Sequence, residues 1–322
     1  MRMPALVRLV PPVLALVLAV AGPGRATLDG TPLDSTRLNS AARRSAALGA
    51  QAGGRERTLF VSAVDPKGHP VEGLGPEDFV VREDGARREV LRSSRALEPI
   101  DIAVLVDNSG ASGDVIPRIR EGLKAFIASM APQNAIAIVG LAERPTIIVD
   151  YTSDRKRLTD GVGRLFTQSA SGMTFLDAVV EVSKGMEKRG AARAVVVPII
   201  TDGTEFTSHY QGDVIKALTR AGAGLHAITV GTFPVSNDEA TRDRAYVLDQ
   251  GGRVTGGQWM RLLTASAIDP TLQQLARQLS SQYKVVYSRP DSLIPPEKLE
   301  IKAGRPGVTM RGTPARGQST GT

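Results

Sequence analysis

Two nearly unbroken apolar runs, Ile100 to Val106 and Ala194 to Ile200, constrain this chain more than any other feature, because a strand that is apolar at almost every position must be covered on both faces. The first stops at Asp107 and the second at Thr201-Asp202. Between and after them, shorter apolar strands at Ala135–Leu141, Thr146–Asp150 and Leu225–Val230 alternate with helical patterns. After the first run, Ile116, Ile119, Leu123, Phe126, Ile127 and Met130 recur at three- and four-residue steps and form one stripe. Pro117 places the start of that helix near Gly113 or Asp114, since proline is harmless only in the first turn. Further helices are expected over 155–166, 175–188, 212–221, 239–249 and 270–279, with a short strand around Arg253. Such alternation predicts a doubly wound, mainly parallel, Rossmann-like α/β sheet with helices on both faces.

The ends of the chain read differently. Leu59, Val61 and Ala63 alternate, and Phe79–Glu83 and Arg87–Leu91 flank Asp84-Gly85, a dipeptide suited to a tight hairpin. Tyr283–Tyr287, Lys298–Ile301 and Gly307–Met310 resume this β character near the other end. The expected organisation is therefore a signal peptide at 1–26, a flexible linker at 27–57, a β segment at 58–98, the α/β domain at 99–281, a second β segment at 282–311 and a disordered tail at 312–322. The two β segments are expected to form one small unit with the α/β domain inserted between them.

The leader assignment rests on Arg2 and Arg8 ahead of an apolar stretch from Leu9 to Ala21, followed by small residues. Cleavage after Ala21 and after Ala26 both fit. Export then follows, to the periplasm or the medium, with membrane attachment only through an uncleaved leader. Removing 26 residues takes three arginines from the formal charge of +7 and leaves a mild excess of +4. With scattered basic residues and 4% aromatics, the chain lacks the surface expected of a nucleic-acid binder. The absence of cysteine excludes thiolate metal sites. Gly251-Gly252-Arg253-Val254-Thr255-Gly256 has neither dinucleotide-binding nor Walker spacing, so no nucleotide is expected.

Ligands of an open α/β sheet bind beyond the carboxyl ends of its strands. Asp107, Ser109 and Ser112 follow the first central strand, Thr174 precedes a helix, and Asp202 follows the second apolar run. Hydroxyl and carboxylate oxygens of this kind suit a hard divalent cation, which prefers six oxygen ligands and keeps several waters.

With Asp-Asn-Ser-Gly-Ala at 107–111, Gly-Met-Thr-Phe-Leu-Asp-Ala at 172–178 and Ile-Ile-Thr-Asp-Gly at 199–203, the sequence resembles the von Willebrand factor A domain family, specifically its exported bacterial relatives, over about residues 100–285. The resemblance implies a metal-ion-dependent adhesion site in which Mg2+ is held directly by Ser109 and Thr174 and through water by Asp107 and Asp202. Mn2+ and Ca2+ stay open as alternatives. An acidic side chain of a protein partner would complete the coordination. The family's second serine is replaced here by Ala111, with Ser112, one residue displaced, as the substitute ligand.

Two other readings use the same residues. In one, the protein is a metal-free structural scaffold: Asp107, Ser109 and Ser112 satisfy N–H groups at a helix start, and Thr174 and Asp177 form a capping box. In the other it is a serine hydrolase built from Ser109, His209 and Asp202 or Asp107, but the Gly-x-Ser-x-Gly turn that exposes such a nucleophile is missing. The favoured expectation is a protein-binding module without enzymatic activity. His69 and His226 are expected to be structural.

Overall fold

The computed structural model describes residues 54–231, 238–290, 294 and 296–316. The leader, most of the expected linker and the last six residues lie outside the described residues. Six strands form the central sheet: β5 (Ile100–Val106), β6 (Ala135–Gly140), β7 (Thr146–Thr152), β8 (Arg193–Ile200), β9 (Ala223–Val230) and β10 (Gln258–Leu262). Their order is β10-β9-β8-β5-β6-β7. All neighbours are parallel except β6 and β7, which pair antiparallel at the edge.

Burial on both faces explains the apolar runs. On one face Val104, Val106, Val197 and Ile199 pack against Ile119 and Leu123 of α1 (Ile116–Met130), Leu158 of α2 (Arg155–Gly163) and Leu272 of α7 (Ile268–Ser280). On the other, Ala103, Leu105, Val196 and Ile200 meet Phe175 and Val179 of α3 (Phe175–Arg189) and Val214 and Leu218 of α4 (Gln211–Ala221). The chain leaves β5 toward β6 and later returns to place β8 on β5's other side, so the loops after β5 and β8 diverge at a switch in strand order.

Both ends of the chain build the β unit. β1 (Gly54–Val64), β4 (Val90–Arg95), β11 (Tyr283–Pro290) and β13 (Thr309–Pro314) form one antiparallel sheet in the order β13-β1-β11-β4. β2 (Phe79–Glu83), β3 (Ala86–Arg88) and β12 (Leu299–Ala303) form a second, in the order β12-β2-β3. Leu59, Val61, Phe79, Val81, Tyr287 and Met310 fill the space between them. The Asp84-Gly85 turn has φ of 48° and 81°, the positive pair that a two-residue hairpin of this twist requires.

Several boundaries depart from the sequence reading. Residues 54–57, read as linker, extend β1 because Arg289 and Pro290 of β11 pair with Arg55 and Gly54. Residues 312–314, read as tail, belong to β13, which pairs with β1 as far as Pro314. The helix expected from Gly113 begins at Ile116, because Gly110–Ser112 close a separate 3-10 turn first. No strand forms around Arg253. Gly252–Thr255 is a short helix, α6, stopped by Gly256 at φ 76°, and the edge strand comes next as β10, whose residues pair with His226–Val230. The polar helix read over 239–249 is α5 (Glu239–Tyr246) followed by a π turn.

Candidate functional site

Asp107 is completely buried, and its backbone N–H continues the ladder to Ile199 O at 2.9 Å. A buried carboxylate must be solvated by the protein, and this one is: Oδ1 accepts from Ser109 N at 2.9 Å, and Oδ2 accepts from Thr201 N at 3.0 Å and from the Thr201 hydroxyl. Thr201 thus ties the loop after β8 to the loop after β5.

Ser109 is also completely buried, yet its hydroxyl finds no hydrogen-bond partner. Gly203 packs closely against it: a Cβ there would lie 3.0 Å from Ser109 Oγ, 3.2 Å from Ala111 Cβ and 3.8 Å from Asp107 Oδ2, so the loop after β8 needs glycine at this approach. The partnerless Ser109 hydroxyl and an Asp107 carboxylate oxygen therefore both lie beside Gly203. The Ala111 methyl faces the same glycine and supplies no donor atom. Asp202, between Thr201 and Gly203, is exposed.

Thr174 reaches this end of the sheet through a chain of backbone contacts. Its N–H and its hydroxyl both donate to Leu141 O, at 2.9 and 2.8 Å, so both lone pairs of the hydroxyl stay unassigned. Leu141 follows β6 and donates to Val106 O, while Met173 N donates to Thr204 O and Gly110 N to Ser171 O. Asp107, Ser109, Thr174 and Asp202 thus stand on loops bonded to one another at one end of the sheet. Ser112 takes a different part: its hydroxyl donates to Ser109 O at 2.8 Å within its own turn.

Neither Ser109 nor Thr174 caps a helix with its side chain. Asp177, the other half of the expected capping box, instead accepts from the Thr207 hydroxyl at 2.6 Å, Ser208 N at 3.0 Å and His209 Nδ1 at 2.9 Å. Burial pushes the Asp177 pKa up, but the bonds from Thr207 and His209 outweigh it and hold the group below its ordinary value. His209 is accordingly oriented by Asp177, not by Asp107 or Asp202, and Ser109 Oγ has no base bonded to it. The nucleophile–base contact of the hydrolase reading does not form among the described residues.

Three contributors escaped the sequence reading. Asn108 Oδ1 accepts from Leu141 N at 2.9 Å and Ala142 N at 3.0 Å, and its Nδ2 donates to Phe166 O at 3.3 Å. Arg244 is buried under the loop after β8 and donates to Gly203 O at 2.5 Å. Its guanidinium lies 3.9 Å from Glu205, which also accepts from Leu176 N. Burial drives the Glu205 pKa up to about 8 despite Arg244, with Asp177 and Asp107 adding to the rise. An arginine in a polar helix reads as surface, so no sequence signal pointed to Arg244.

Residues 102–205 match the family model described as von Willebrand factor type A domain. Over that span the chain is similar to a von Willebrand factor type A domain. The matched span runs from β5 to the loop after β8 and includes Asp107, Ser109, Thr174 and Asp202. No curated protein matches the chain. Among solved structures, the vWF domain of the type V pili tip protein Mfa5 from Porphyromonas gingivalis is 10% identical, with 57% of this chain and 96% of that one covered at a TM-score of 0.46. The von Willebrand factor type A protein from Catenulispora acidiphila is 11% identical, covering 82% and 74% at 0.45. The PilB minor pilin from Streptococcus sanguinis is 10% identical, covering 58% and 62% at 0.45.

Proposed function

We propose that this protein is an exported, non-enzymatic binding module whose type A domain holds Mg2+ at the carboxyl edge of its sheet and there engages an acidic side chain of a protein partner. The observation that carries this reading is the buried Ser109 hydroxyl without a partner, which shares its neighbour Gly203 with the Asp107 carboxylate. Leaving such a group unsatisfied costs about 1–3 kcal/mol, a cost that a bound cation would remove. Ser109 and Thr174 would be direct, neutral ligands, and Asp107 and Asp202 would hold coordinated waters. Asp107 has three of its roughly four lone-pair sites already filled, which suits an outer role. Where the family has its second serine, Ala111 leaves a place for water. A cation with neutral direct ligands stays electrophilic and attracts a carboxylate from outside.

Exposed aromatic side chains on these loops support a protein partner. Phe206 and Tyr210 stand on the segment after β8, and Phe166, capped by the Arg120 guanidinium 4.4 Å from its ring centre, follows α2. Large aromatic and arginine groups are the usual anchors of protein interfaces.

Calorimetric titration of chelator-treated protein with Mg2+ and Mn2+ tests the proposal. One saturable site is expected, with a rise in melting temperature, and about tenfold or greater weakening in Ser109→Ala and Thr174→Ala. Absence of both heat and melting shift would leave the metal-free scaffold as the better account.

A further inference from the structure

A cavity of about 490 Å³ lies far along the chain from the loops just described, where α6 meets β12 and β13. Its volume falls within the range of small-molecule sites. Leu59, Val254, Leu299, Ile301 and Met310 supply apolar walls, and Arg311 lines it as well.

Arg311 is the unusual member. It lies on β13 opposite Ser62 of β1, and it is only partly exposed. Its Nε is buried without a hydrogen-bond acceptor, and among the described residues no carboxylate forms an ion pair with it. Its charge opposes protonation of His226, a buried imidazole whose two nitrogens also lack partners. Burial lowers the Arg311 pKa, and no acidic neighbour opposes that shift. Buried charges are normally paired, because an unpaired one forfeits hydration without recompense. Glu83 shows the ordinary solution elsewhere in the β unit, pairing with Arg88 at 2.9 Å and Arg289 at 3.2 Å.

The other charged groups of the lining already have partners: Arg253 pairs with Asp249 at 2.7 Å, and Lys298 and Lys302 pair with Glu300 at 2.6 and 3.9 Å. An apolar wall and a guanidinium lacking its counter-charge together select for one kind of guest.

We propose that this cavity binds a small amphiphilic carboxylate, its headgroup paired with Arg311 and its hydrocarbon chain laid against Val254 and Leu299. Guanidinium groups take carboxylates through two parallel N–H bonds, which fixes the headgroup while the walls accept the chain.

Three probes of the full chain test this by calorimetry and thermal melting: octanoate, octylammonium with the same chain and opposite charge, and acetate with the head alone. Octanoate should bind saturably with one equivalent and raise the melting temperature, and the other two should not. Arg311→Met should weaken octanoate by about tenfold or more, the loss expected for one charge-assisted bond. It should also leave the unliganded protein at least as heat-stable as the parent, since it removes an unpaired charge. Val254→Trp, at a largely exposed lining position, should block octanoate without touching the core, and it serves if the arginine variant fails to fold. Equal binding of octanoate and octylammonium, undiminished octanoate binding in either variant, or no octanoate binding at all would overturn the assignment.

Discussion

His226 stands on β9 with its ring completely buried, neither nitrogen bonded, and Gly224 and Thr313 close by. Burial, reinforced by the Arg311 charge, lowers its pKa to about 3, so the folded protein holds it neutral. In the unfolded chain the same imidazole titrates near 6.5. The unfolded state therefore binds the extra proton first on acidification, and stability falls as pH drops below about 6.5, by up to about 1.4 kcal/mol per pH unit until about 3. His226→Gln should flatten this part of the profile. Urea denaturation of parent and variant between pH 7 and 4 measures the difference, and parallel profiles would show that the ring gains a proton or a partner in the fold. The sequence reading of His226 as structural agrees with its burial, but nothing in the sequence indicated that both its nitrogens would go unbonded.

Among elements, the loops at the carboxyl edge are tied to one another by backbone bonds and by the Asn108 amide and the Thr174 and Thr201 hydroxyls. Asn108 joins the loop after β5 to the segments after β6 and α2, and Gly140 makes room for it, since a Cβ there would lie 2.9 Å from Asn108 Oδ1. Asn108→Ala should cost about 2 kcal/mol, because Ala142 N is left buried without its acceptor. The variant should also weaken Mg2+ binding if Thr174 depends on that junction for its position. Denaturant unfolding reads the first effect and calorimetry the second; an unchanged midpoint would mean that water replaces the amide. β5, β6, β8 and α3 were legible within a residue or two because each carries a continuous apolar run or stripe. The strand assigned around Arg253 was misplaced because β10 has partly buried residues of mixed character and depends on its parallel pairing to β9.

At the scale of the whole molecule, one arginine links the two halves of the fold. Arg193, at the start of β8, donates to Glu98 O at 2.9 Å, Leu279 O at 2.8 Å and Gln282 Oε1 at 2.5 Å, and it lies over the Phe60 ring of β1. Burial lowers its pKa to about 10, which still leaves it charged at neutral pH. Arg193→Met would leave those acceptors in a dry junction and should cost about 2–4 kcal/mol. Its melting temperature should be on the order of 10 °C lower. A single sharp transition at the parental temperature would show that the junction does not need the arginine.

Local patterning alone determined the α/β class and the central strands and covering helices that carry a continuous apolar run or stripe, since a strand covered on both faces must be apolar and a covering helix must carry a stripe. It also placed Asp107, Ser109, Thr174 and Asp202 after strands or before a helix, where an α/β sheet presents its ligands. Only tertiary structure decided that Ser109 Oγ is buried without a partner, that Ser112 is occupied within its own turn, and that Arg244 supports the loop carrying Asp202. Those outcomes depend on which loops meet, and residues such as Asn108 and Leu141, or Arg244 and Gly203, are brought together by strand order and not by spacing along the chain.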